Sequence, residues 1–169
     1  YNNDGKLFLE NIINKNKYDF KKIGHEYISN LKKISGKSEM VTDKLPINFK
    51  WIGLIKLILP NSKIVHCIRN PKDNCLSIFK NFFPNKNLNF AYNFEEISAF
   101  YNLYDDLMKY WENVLPKFVI DIKYEDLIKN PKQQISGLLK KCNLSWNDKC
   151  LKFYNNKRPI KTASDVQAR

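Results

Sequence analysis

Residues 63–83 read KIVHCIRNPKDNCLSIFKNFF, and the run changes character in its middle. Its first part, Lys63 to Ile68, is short and rich in β-branched residues, as strands are. Arg69-Asn70-Pro71 follows, and from Pro71 to about Phe83 the apolar residues recur at helical intervals. Asn70 suits an N-cap, Pro71 the first helical position and Asp73 the first turn, so local chemistry specifies the helix start. A buried strand that ends in an arginine needs a reason. In an open α/β sheet, ligands bind beyond the carboxyl ends of the strands, where the next helix offers unpaired N–H groups and the positive end of its dipole. Ser77 lies seven residues after Asn70 and four after Asp73, on the helix face of that turn. Arg69, with a bidentate charged fork, and Ser77, with a hydroxyl donor, can converge there on one anion. The competing reading pairs Arg69 with a surface acid and leaves Ser77 filling a small gap in the core.

The strand-then-helix order recurs on either side. Met40 to Lys44 is a short extended run ending at Leu45-Pro46, and Phe49 to Leu59 reads as a helix closed by Pro60-Asn61. Phe118 to Lys123 is a third strand, followed by a helix start at Tyr124-Glu125-Asp126 and a helix from Pro131 to Cys142. Phe20, Ile23, Tyr27, Ile28, Leu31 and Ile34 keep the helical period up to Gly36. From Ile97 to Leu115 the same period runs until Pro116 stops it, and Trp146 to Tyr154 is expected to form one more helix. Strands separated by helices imply right-handed crossovers and a parallel sheet covered on both faces.

With 169 residues, 43% of them hydrophobic and 14% aromatic, the chain suits one domain with a sizeable core. The longest apolar run, Trp51 to Leu59, is interrupted by Lys56 and falls far short of the roughly 20 residues that span a bilayer. No transmembrane segment is expected. The chain opens with Tyr1 and shows no charged-then-apolar leader, as expected of a processed protein or a piece of a longer one. A net charge of +12 favours a polyanionic ligand, whether nucleotide, nucleic acid or membrane surface. Cys67, Cys75, Cys142 and Cys150 form no Cys-x-x-Cys pair, and His25 and His66 supply no metal-ligand spacing. Cys67 and Cys75 read as buried thiols, which points to a reducing, cytoplasmic setting.

The stretches VTDKLPINFKWIGLIKLILPNSKIVHCIRNPKDNCLS, YEDLIKNP and the terminal KTASDVQAR together resemble sulfotransferases that use 3′-phosphoadenosine-5′-phosphosulfate. The resemblance is nearest to the branch of tetratricopeptide-repeat and tyrosylprotein sulfotransferases. It implies a three-layer α/β fold of the P-loop type, with a parallel sheet flanked by helices. By that resemblance Arg69 and Ser77 hold the donor's 3′-phosphate, and Tyr124 lies against the adenine. Lys44, twenty-five residues before Arg69, reaches the leaving phosphate and the sulfuryl group, where a point charge neutralises the oxygen that becomes negative. Ser164 matches a serine near the transferring group, and Thr162 to Gln167 form a loop wrapping the nucleotide. The implied partners are the donor nucleotide and a hydroxyl-bearing acceptor, with no metal and no nucleic acid. Tetratricopeptide repeats upstream are allowed by the resemblance.

One expected part has no match. The family's 5′-phosphosulfate loop is a turn of the kind Pro-x-Arg-Ser-Gly-Thr-Thr, and Gly5, Gly24, Gly36, Gly53 and Gly137 all lack such neighbours. The general base belongs on or near that loop; His25-Glu26, within an amphipathic helix, reads as structural. Residues 1–169 are thus expected to be one partial sulfotransferase domain, lacking its N-terminal loop strand and transferring sulfate poorly or not at all alone. A nucleotide kinase would need a Gly-x-x-x-x-Gly-Lys-Ser/Thr loop, which is not in the sequence. The other alternative, a non-catalytic basic module for nucleotide or nucleic acid, is permitted by charge but carries no helix-turn-helix, zinc-finger or RNA-binding signature.

Overall fold

The amphipathic run after Asn16 folds as helix α1, Lys17–Ser35, in the computed structural model, which describes residues 10–36, 38, 40–83 and 86–155. Asn16 caps it: the side chain accepts from the N–H groups of Tyr18 and Asp19 at 2.8 and 3.1 Å, while the Asp19 carboxylate accepts the Asn16 N–H at 2.9 Å. The helix closes at Gly36, whose φ of 60° few other residues adopt readily. The described residues divide into two compact units after Ser62.

In the first unit, α1 packs on α2, Ile52–Ile58. The expected helix over 49–59 is two pieces. Leu45 is extended, as a residue before proline prefers, and a 3₁₀ helix, Pro46–Trp51, runs into α2 through a kink at Trp51 (φ −110°, ψ 8°). Ile52 is the buried centre of this unit. Met40 to Lys44, expected as an extended strand-like run, is not a strand. Among the described residues only β-strands 64–68 and 119–123 pair, so this run has no ladder to complete, and its backbone groups are left to other bonds.

Those two strands belong to the second unit. β1, Ile64–Ile68, and β2, Val119–Lys123, pair in parallel, with Ile64 opposite Val119 and Ile68 opposite Lys123. Helix α3, Pro71–Lys80, leaves β1, and α4, Phe94–Val114, packs against it. α5, Tyr124–Lys129, follows β2 directly, and α6, Pro131–Lys141, packs back on β2. A small parallel sheet flanked by helices is the α/β architecture the sequence implied. Ile97 and Ala91 are each 1% exposed, and Phe90 stacks on Phe100 with ring centroids 4.2 Å apart. The rings between 82 and 94 are thus partly core and partly surface, Phe82 being 75% exposed.

Three local expectations are corrected. α3 ends at Lys80 rather than near Phe83, because Asn81 turns extended and its side-chain amide donates to the Ser77 carbonyl at 2.6 Å. The expected helix over 146–154 is instead two short 3₁₀ turns, Asp148–Leu151 and Phe153–Asn155. There Asn147 bonds the Lys149 N–H and the Trp146 indole donates to Asp148 at 2.8 Å, local bonds that compete with a continuous helix. Cys67 is exposed, not buried, since it faces away from His66 on the side where Val65 is also open; all four cysteines are free thiols.

Candidate functional site

Because Ile68 lies opposite Lys123 in the ladder, the next residues, Arg69 and Tyr124, leave adjacent parallel strands at the same level. The Arg69 guanidinium carbon sits 5.1 Å from the centroid of the Tyr124 ring, within cation–π range. One residue further on each side, the Asn70 N–H donates to Glu125 Oε1 at 2.8 Å. The Asn70 side chain in turn accepts from the Lys72 N–H at 2.9 Å and from that of Asp73 at 3.4 Å, which completes the cap of α3. Glu125 is held below the usual carboxylate range, first by the Asn70 N–H, then by its own backbone N–H, with Arg69 and Lys123 adding positive charge nearby.

Arg69 is exposed, and among the described residues no ion pair engages it. The neighbouring surface acid, Glu125, spends its bond on the Asn70 backbone instead. Ser77 stands half-buried on α3. The first N–H groups of α3, expected to be unpaired, are instead taken by Asn70 and Glu125, so what the carboxyl end of β1 presents to an anion is the Arg69 fork and the positive end of the helix dipole.

Beneath this edge, toward the middle of the strands, His66 and Asp121 are register partners, and His66 Nδ1 lies 2.8 Å from Asp121 Oδ1. A carboxylate oxygen accepts, so Nδ1 carries a hydrogen toward Asp121, and Nε2 shares a hydrogen bond with the Tyr104 hydroxyl on α4. Burial pushes the Tyr104 hydroxyl up to about 12, with Tyr101, Asp105 and Asp121 adding to it. Sequence reading found no role for His66, and its signal was weak: the strand register that sets it opposite Asp121 is not written locally.

Lys44 is exposed in the other unit, between Asp43 and the 3₁₀ helix. Asp43 accepts the Tyr27 hydroxyl of α1, which raises the Tyr27 pKa to about 12 chiefly through that bond. Tyr27 and Asp43 therefore tie the segment before Lys44 to a helix, a contact sixteen residues apart that periodicity alone does not reveal. His25 and Glu26 are exposed on α1. Thr162, Ser164 and Gln167 lie outside the described residues. Arg69 and Tyr124 are brought together, with Ser77 on the helix that Arg69 leads into.

Among the described residues, no group of three or more His, Cys, Asp and Glu side chains is placed as metal ligands would be, and no helix is long and apolar enough to cross a membrane. A family model described as Sulfotransferase family matches residues 13–148, a span that includes Lys44, Arg69, Ser77 and Tyr124. An uncharacterized protein of Aquifex aeolicus (strain VF5) is 34% identical over 145 residues, which are 85% of this chain and 19% of that protein. The chain thus spans about a fifth of the length of this curated relative. No solved structure matches.

Proposed function

We propose, from the premise that this chain belongs to the sulfotransferase family, that it binds 3′-phosphoadenosine-5′-phosphosulfate and serves transfer of the sulfuryl group to a hydroxyl acceptor. The observation that carries this reading is Arg69: a fork with no ion pair among the described residues, at the end of β1, against Tyr124 and beside the Asn70 cap. Arg69 and Ser77 take the 3′-phosphate, and the exposed Tyr124 ring takes the adenine. Lys44, Thr162, Ser164 and Gln167 are assigned by resemblance, Lys44 to the leaving phosphate and the other three to the reacting group and the nucleotide loop.

In the reaction the acceptor oxygen bonds to sulfur, the bond from sulfur to the 5′-phosphate oxygen breaks, and that oxygen keeps the electron pair. The acceptor proton passes to a base. By analogy with phosphoryl transfer, the work is positioning and neutralisation of the leaving oxygen. We place the chain nearest the tetratricopeptide-repeat and tyrosylprotein branch on the stretches around Lys44, Arg69 and Tyr124 and the KTASDVQAR segment, in a single domain and a cytoplasmic setting that suits four free thiols. Protein tyrosine, carbohydrate and small alcohols are the acceptor classes.

Calorimetric titration of adenosine 3′,5′-bisphosphate against adenosine 5′-monophosphate tests the site. The full chain should prefer the bisphosphate, and Arg69→Ala should abolish the preference. Equal affinity for the two nucleotides overturns the reading, as does tight, steeply salt-dependent binding to generic duplex DNA that survives Arg69→Ala.

A further inference from the structure

We infer that Glu125 is a positioning residue for this anion site, tying the Arg69–Asn70 peptide from the neighbouring strand so that the Arg69 fork stays open to a phosphate. The inference rests on the donor-site reading above.

The N–H that Glu125 accepts belongs to the peptide joining Arg69 to Asn70. Holding that peptide's plane fixes the backbone on the C-terminal side of Arg69 and on the N-terminal side of the helix cap at once. The acceptor comes from α5, the element that also carries Tyr124, so a single short segment supplies both the ring beneath Arg69 and the bond beyond it. Two contacts at successive positions, 69 with 124 and 70 with 125, leave the strand exits little freedom to slide.

A carboxylate next to a site for a doubly charged anion is unfavourable on charge alone. It is tolerable here because the carboxylate is spent on a backbone donor and leaves Arg69 without an ion pair among the described residues. Arg69 and Lys123, the cations beside Glu125, offset the charge further. The two possible roles of Glu125 predict opposite effects. If its charge mattered most, any neutral residue would tighten anion binding. If its bond matters most, a side chain that cannot accept weakens binding although a negative charge has gone.

The test compares Glu125→Ala and Glu125→Gln in the full chain, by calorimetry with adenosine 3′,5′-bisphosphate and adenosine 5′-monophosphate and by following the Asn70 amide through an acid titration with nuclear magnetic resonance. Glu125→Ala should weaken the bisphosphate by about tenfold, the order of a lost charge-assisted hydrogen bond, and the monophosphate much less. Glu125→Gln, whose amide oxygen still accepts, should bind at least as tightly as the parent. The parent's Asn70 amide should report an acidic transition below the ordinary carboxylate range, and the Gln variant's should not. Undiminished binding by Glu125→Ala, or equal weakening in both variants, overturns the inference. A parent with no bisphosphate preference but with the Asn70 transition intact would instead sink the donor-site reading and leave Glu125 a fastener of the strand ends.

Discussion

Arg69 lies over the face of Tyr124, 5.1 Å from the ring centroid, at the matched ends of two parallel strands. The ring holds a cation that would otherwise sample many rotamers, and a planar guanidinium suits both the ring and a bidentate phosphate. Tyr124→Phe keeps the face and should keep bisphosphate affinity within about twofold, the size of one weakly exposed polar group. Tyr124→Ala should cost about tenfold, the order of one lost base-stacking or cation–π contact. Arg69→Lys should lose most of the preference for the 3′-phosphate, because a point charge does not replace a fork. Titration of the same two nucleotides into the three variants measures all of this.

The hydrogen-bonded chain Asp121–His66–Tyr104 joins both strands to α4. Tyr104→Phe removes the hydroxyl bonded to His66 Nε2 and leaves that nitrogen without this partner on the part-buried face. The expected loss is about 1–2 kcal/mol of unfolding free energy, the range for a buried polar group deprived of its bond. His66→Phe, which removes the polar ring that Tyr104 served, combined with Tyr104→Phe should recover part of the loss, since both partners are then apolar. Urea denaturation of the single and double variants reads the coupling directly, and strictly additive losses would contradict it.

This chain also shows what a sequence conceals. The cap at Asn70, the β-branched run before Arg69 and the long period of α4 were legible because each depends on neighbours within one or two turns; the cap at Asn16 is equally local, and sequence reading missed it. The Met40–Lys44 run misled for the opposite reason: β-like composition says nothing of whether a partner strand lies alongside. The bonds of Asn81 and Asn147, which end or replace helices, involve side chains whose competing backbone bonds periodicity ignores. At the site, Arg69 and Ser77 stood out by type and spacing. Glu125, His66 and Asp121 did not, because their meaning comes from a register that joins positions 55 residues apart.

Two tyrosines set an alkaline limit. The Tyr27 hydroxyl, bonded to the Asp43 carboxylate, and the Tyr104 hydroxyl, held up by burial, both have folded pKa values of about 12 against an ordinary 10. The folded chain therefore holds these protons more tightly than the unfolded chain does. Their contribution to stability is full below pH 10 and is lost as pH rises through 10 toward 12. The unfolding free energy measured across that window should fall less steeply in Tyr27→Phe and in Tyr104→Phe than in the parent, and ultraviolet titration should show each variant losing one of the parent's late tyrosines. Identical slopes in all three proteins would refute the assignment.

Gly24 and Gly137 should respond to alanine with opposite signs. Both sit within helices, where replacing glycine by alanine ordinarily stabilises by about 1 kcal/mol through backbone entropy and propensity. At Gly137, on α6, an added Cβ meets nothing within 4 Å, so Gly137→Ala should realise much of that gain. At Gly24, the buried glycine of α1, the same Cβ would lie 2.0 Å from the backbone carbonyl oxygen of Ile58. A main-chain oxygen at the end of α2 cannot rotate aside as a side chain would, so α1 and α2 must separate there. Gly24→Ala should lower the unfolding free energy by about 1–3 kcal/mol, as overpacked sites do. Chemical denaturation of the two variants beside the parent checks both signs, and a stabilising Gly24→Ala would mean that α1 does not approach Ile58 as closely as described.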